Sequence, residues 1–158
     1  MQNFARWLYQ GGRPNRLARA MNDLGAAVAS LGVARNYMET LEVVGRESGR
    51  VLSFPIVISP VGGERYVVSM LGANVNWVRN LRAAGGRAAL RSGRVQQVLL
   101  EEVPVERRAP ILKEFLRRAP GGRPHIPVHK GAPLGEFAAI ADRYPVFRVV
   151  PLADQRSL

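Results

Sequence analysis

The sequence contains no cysteine. Disulfides, thiolate catalysis and cysteine-held metals are thereby excluded. Lysine is almost absent: Lys113 and Lys130 are the two, and the rest of the 23 basic residues are arginine. Histidine is scarce as well. His125 and His129 stand four apart, a spacing that would align two metal ligands on a helix, but Pro124 and Pro127 forbid that helix. No metal site is expected. Neither a Gly-x-Ser-x-Gly elbow nor a Walker-type phosphate loop occurs. Glu101 and Glu102 are adjacent on an expected strand, so their carboxylates point to opposite faces and make no acid–base couple. No apolar run reaches the ~18 residues of a membrane span, and the first residues lack the apolar core of a signal peptide. A soluble, cytoplasmic protein is the expectation, with peripheral membrane contact left open.

What is present is a chain of 158 residues with ordinary hydrophobic content and a net charge of +11. The length suits one domain with a real core. The arginines are scattered over every expected element and form no stripe, so nucleic acid is not an expected partner.

Residues 1–35 read as an N-terminal helical arm. Within it Leu17, Met21, Leu24, Val28 and Leu31 make one apolar stripe, and Gly32 stops it. That helix could cover a pocket or touch a membrane surface. Strands are expected over Glu39–Val44 and Val51–Ser59, the second holding Pro55, which marks an edge, a bulge or a place where something else approaches. A loop over Pro60–Glu64 leads to a third strand, Arg65–Met70. Asn76 is a candidate cap for a short helix reaching Ala84, with Gly85-Gly86 as its stop. Arg87–Ser92 and Arg94–Val103 form a hairpin around Gly93. A helix is expected over Glu106–Arg118, an extended loop over Pro120–Pro133, a helix over Leu134–Tyr144 and a last strand over Val146–Val150. Strands joined mainly as hairpins, with helices inserted, predict an α+β chain built on a small antiparallel barrel over residues 40–151.

Two stretches carry possible chemistry. Gly45-Arg46-Glu47-Ser48-Gly49-Arg50 is a turn whose backbone N–H groups and arginines suit a phosphate. A solvated hairpin with charges for solubility is the plainer account. In Ser69-Met70-Leu71-Gly72 through Asn76-Trp77-Val78-Arg79-Asn80, a strand end leads to a helix with an aromatic ring and an amide one turn apart. A flat heterocycle would suit such a pair. Alternatively, Trp77 belongs to the core and Asn80 caps a loop.

The ordered set of Gly45-Arg46-Glu47-Ser48-Gly49, Pro55, Val68-Ser69 and Asn76-Trp77-Val78-Arg79-Asn80-Leu81 resembles the deazaflavin-dependent nitroreductase family. Those proteins are split β-barrels of the FMN-binding type that use coenzyme F-420, an 8-hydroxy-5-deazaflavin. The resemblance covers about residues 40–90 and the last strand. It implies that Arg46 and Ser48 hold the phosphate-bearing tail, with Arg50 a second cation beside them. It also implies that Pro55 and Val57 line the ring, and that Ser69, Met70, Trp77 and Asn80 face the coenzyme. The chain differs from the family pattern at Glu47, where a second basic residue is common, and at Met70-Leu71-Gly72, where Lys-Gly-Gly is common. The function implied is hydride transfer from a reduced deazaflavin to a small electron-poor acceptor: a quinone, enone or nitro compound. FMN is the alternative cofactor. A non-catalytic barrel that binds flavin, haem or lipid is the alternative function. The oligomeric state stays open.

Overall fold

The computed structural model describes residues 37–153. The expected N-terminal helix and arm lie outside the described residues. Seven antiparallel strands make one curled sheet. They are β1 (Met38–Val44), β2 (Val51–Val57), β3 (Ser59–Val61), β4 (Glu64–Val68), β5 (Arg87–Ser92), β6 (Arg94–Glu102) and β7 (Val146–Pro151). Their spatial order is β2-β1-β5-β6-β7-β4-β3.

Alternation in the sequence decides which face is buried. Leu41 and Val43, Phe54 and Ile56, Ala88 and Leu90, Val98 and Leu100, and Phe147 and Val149 sit two apart on their strands, and all are buried together. They fill the hollow of the curled sheet. The helix α1 (Asn76–Ala83) adds Trp77, Val78 and Leu81 to that cluster. A second core lies between the sheet and two further helices, α2 (Ala109–Arg118) and α3 (Leu134–Ile140). There Ile111, Leu112, Phe115 and Phe137 meet Val57, Val68 and Val146.

Several boundaries differ from expectation for local reasons. The strand expected over Val51–Ser59 stops at Val57, and Ser59 begins β3. Ile56, Val57, Ile58 and Ser59 are all buried. Ile56 and Ile58 face the hollow and Val57 the second core, so both faces are covered here, and the chain leaves β1 at Ile58 to pair with β4 on the other border of the sheet. Pro60 and Val61 belong to β3, and the loop shrinks to Gly62-Gly63. Asn76 is the first helical residue of α1 rather than its cap; Val75 holds the cap position with no side-chain bond. The helix expected to reach Tyr144 ends at Ile140 and continues as a 3₁₀ turn over Ala141–Arg143. A second 3₁₀ stretch, Pro120–His125, lies in the expected loop.

Pro55 sits on β2, at one edge of the sheet, where a missing donor disturbs the ladder least. No helix among the described residues is long and apolar enough to cross a membrane.

Candidate functional site

The turn between β1 and β2 is held by its own backbone. Gly45 N–H donates to the Arg50 carbonyl at 2.8 Å, and Gly49 N–H to the Gly45 carbonyl at 2.9 Å. Gly49 has φ +69°, a conformation that a side chain would strain. The Arg50 N–H donates to Ser48 Oγ at 3.2 Å.

The turn is also tied to α1. Arg46 donates twice to Asn80 Oδ1, from its backbone N–H at 3.1 Å and from Nη1 at 2.8 Å. Asn80 is 3% exposed, so its oxygen needs a protein partner, and Arg46 provides it. Four of the turn's N–H groups are thus in use. Those of Glu47 and Ser48 have no partner among the described residues, and neither has the Arg50 guanidinium. Arg46, Ser48 and Arg50 are exposed.

A phosphate would meet the Arg50 guanidinium, the Ser48 hydroxyl, the remaining N–H groups of Arg46 and two backbone N–H groups. That donor set fits an anion, and Glu47 is the carboxylate within the turn itself that opposes it.

Of the other nominated residues, all but Pro55 are buried. Trp77 is 7% exposed and lies between Phe54 and Phe147, with ring centroids 5.7 and 5.8 Å away. Its ring is spent on the hollow of the sheet. Ser69 Oγ donates to the Gly72 carbonyl at 2.6 Å and so closes its own loop. Val57 and Met70 lie in the other core, under α2 and α3. Pro55 is exposed on the edge strand. The structure therefore brings Arg46 to Asn80 and Ser48 to Arg50, and keeps Trp77 one helical turn from Asn80. It places Val57 and Met70 in a different cluster from Trp77.

Two features have no counterpart in the sequence-level site. Arg108 is 5% exposed. Its guanidinium donates to the carbonyls of Val103 at 2.8 Å, Ala141 at 3.1 Å and Tyr144 at 3.4 Å, and lies 3.5 Å from Glu102. Burial lowers its pKa, opposed by Glu102. This arginine is a clasp between the start of α2 and the end of α3, and nothing in its sequence context marks it. The second feature is a groove of about 750 Å³ along the β5–β6 hairpin, lined by Glu39, Arg87, Leu90, Arg94 and Leu152 among others. None of the nominated residues lines it.

Glu101 and Glu102 are each ion-paired, with Arg148 at 3.2 Å and Arg82 at 2.8 Å respectively. No group of three His, Cys, Asp or Glu among the described residues could hold a metal ion.

The curled seven-stranded antiparallel sheet with its few helices defines an α+β split-barrel fold. No family model matches the chain, and a search of curated proteins finds no match. Solved structures do match. A conserved hypothetical protein from Mycobacterium tuberculosis is 13% identical with a TM-score of 0.55, over 82% of this chain and 80% of that one. A haem-binding protein from Mycobacterium smegmatis is 13% identical with a TM-score of 0.50, over 87% of this chain and 51% of that one. An F420-H2 dependent reductase is 20% identical with a TM-score of 0.48, over 71% of this chain and 92% of that one. At such identities the likeness speaks for the fold alone, and a TM-score of 0.48 is too slight to carry function.

Proposed function

We propose that this chain is an oxidoreductase that binds a phosphate-bearing deazaflavin, with FMN as the alternative ring, and serves hydride transfer to a quinone, enone or nitro acceptor. The observation that carries the reading is the turn at Gly45–Arg50. It is anchored to α1 through Asn80, yet among the described residues nothing occupies the Arg50 guanidinium, the Ser48 hydroxyl proton or the backbone N–H groups of Glu47 and Ser48, which leaves them as donors for an anion.

In this reading Arg50 and Ser48 grip the phosphate. Arg46 is held by Asn80 and adds its remaining N–H groups from a fixed position. Such pre-organisation lowers the ordering cost of binding. The chemistry such a coenzyme supplies when bound is hydride donation from its ring, and the protein positions and shields the partners. The described residues accord with that division of labour, since their adjacent carboxylates are spent on ion pairs.

A non-catalytic split-barrel binder of flavin, haem or lipid is the second reading. The burial of Trp77 bears on the lipid form of this reading, because a ring packed between Phe54 and Phe147 offers no face to a flat ligand, deazaflavin, flavin or haem alike.

Fluorescence titration with the deazaflavin, and in parallel with FMN, tests the proposal. Arg50→Ala should weaken binding by about 1–3 kcal/mol, the scale of a lost charge-assisted bond, with an unchanged Tm. Arg46→Ala should weaken binding similarly and also lower Tm, because Asn80 Oδ1 loses the guanidinium bond and keeps only the backbone N–H of residue 46. Unchanged affinity in both variants would overturn the phosphate assignment. Saturable binding without any acceptor turnover would favour the carrier.

A further inference from the structure

The ladder register sorts the outer face of the curled sheet, the one turned away from the hollow, into rows. One row runs Pro55–Thr40–Arg91–Val95 across β2, β1, β5 and β6. The next runs Ser53–Glu42–Ala89–Gln97, and Leu152 joins it by donating its N–H to the Gln97 carbonyl at 3.0 Å. A third holds the pair Val51–Val44 and, beyond it, Arg87–Leu99–Val150. Elsewhere on this same face α2 and α3 lie over Val57, Val68 and Val146. Among the described residues nothing comparable covers the three rows.

The bare part is apolar for a surface. Val44, Val51, Val95 and Leu152 are 46%, 55%, 52% and 40% exposed. Only two other large hydrophobic residues among the described ones are as open to water, so the exposure is concentrated on this face. Its central charges neutralise each other, since Arg91 pairs with Glu42 at 2.5 Å.

Two facts name the occupant. The first is where the chain comes from. The Tyr37 carbonyl accepts the Ile58 N–H, Met38 packs against the core under α2, and Thr40, two residues on, already stands in the first row. Residues 1–36 precede that point, and residues 32–36 alone reach up to ~17 Å from it. The second is the pattern of that sequence. Leu17, Met21, Leu24, Val28 and Leu31 form the apolar stripe of an expected helix. Residues 17–31 as a helix would be about 22 Å long and about 10 Å wide, the scale of a face roughly 25 by 20 Å. A second copy fits less well. Two such faces would bury about 1,000 Å² together, under the roughly 1,200 Å² at which stable interfaces begin.

We propose that this bare face is the docking surface for the chain's own residues 17–31, with their apolar stripe against Val44, Val51, Val95 and Leu152. The inference does not rest on the coenzyme reading.

Thiol labelling of the full chain tests it, because the sequence has no cysteine of its own. Val44→Cys and Val95→Cys probe the face, and Leu134→Cys, at a position 50% exposed on α3, is the control. Both face thiols react with a maleimide at least about tenfold more slowly than the control thiol, at rates independent of protein concentration. Adding Leu24→Asp/Val28→Asp removes the protection and leaves the control rate as it was. Should that double substitution prevent folding, Leu24→Ala/Val28→Ala takes its place, with the protection reduced. Equal rates at all three positions in the otherwise unaltered chain would overturn the proposal. So would protection that fades on dilution, which marks a second copy, or protection that appears only with vesicles of anionic lipid. Protection undiminished by the double substitution in a folded chain would overturn it as well.

Discussion

Gly86 shows how one residue can be fixed by a neighbouring strand. It ends α1 with φ +86°, and its carbonyl accepts the Leu100 N–H at 2.7 Å. A Cβ placed there would stand 2.8 Å from the Leu100 carbonyl oxygen, which is backbone and cannot step aside. Gly86→Ala should therefore cost about 2–3 kcal/mol, combining left-handed strain with displacement of the β6 contact. Chemical denaturation measures it, and a variant of wild-type stability would refute the packing account. Tyr144 makes a different kind of point. Its hydroxyl donates to the His125 carbonyl at 2.9 Å, and burial pushes its pKa above the ordinary 10.0, with Arg143 opposing. The unfolded chain ionises near 10 while the folded chain resists. The stability this group contributes is complete below pH 10 and is lost as pH rises toward the folded pKa. Tyr144→Phe should lose about 1 kcal/mol at neutral pH, the scale of one net hydrogen bond, and should flatten the decline above pH 10. Denaturation midpoints of both proteins from pH 8 to 11 would decide it; parallel curves would speak against the tyrosine.

At the scale of elements, α1 is the piece that joins the fold to the candidate site. Its buried side enters the hollow of the sheet through Trp77, Val78 and Leu81, and Asn80 on the same buried side reaches the turn. Trp77→Phe should lower stability by about 1–2 kcal/mol, since a smaller ring leaves space between Phe54 and Phe147. Coenzyme affinity should stay within about twofold, because the ring is enclosed. Thermal melts and titrations on the one variant check both halves. Much of this was legible in the sequence. Alternation gave the strands, Gly93 gave the β5–β6 hairpin, and Ile111, Leu112 and Phe115 gave the inner side of α2. The bond between Arg46 and Asn80 was not legible, because the partners stand 34 residues apart and neither residue type announces the other. Arg108 was hidden for a related reason. Its three carbonyl partners are backbone atoms, which carry no residue signature. The corner at Ile58 had a trace in the run Ile56-Val57-Ile58, which reads equally as one continuous buried strand.

For the molecule as a whole, one topological detail matters beyond its place in the description. β2 and β3 occupy the two opposite borders of the sheet, yet a single residue, Ile58, separates them along the chain. An open sheet ordinarily unzips from whichever border is weaker. Here the borders share a seam, so peeling β2 away from β1 drags on β3, and through it on β4. The hydrogen-bonded amides of β2 and β4 should therefore exchange with deuterium at a common free energy, close to that of β5 and β6 in the middle. Separate, much faster exchange of the β1–β2 ladder would show that the seam gives way. If it holds, the sheet behaves mechanically as a hoop: it has two ends in space and none from which it can be unravelled.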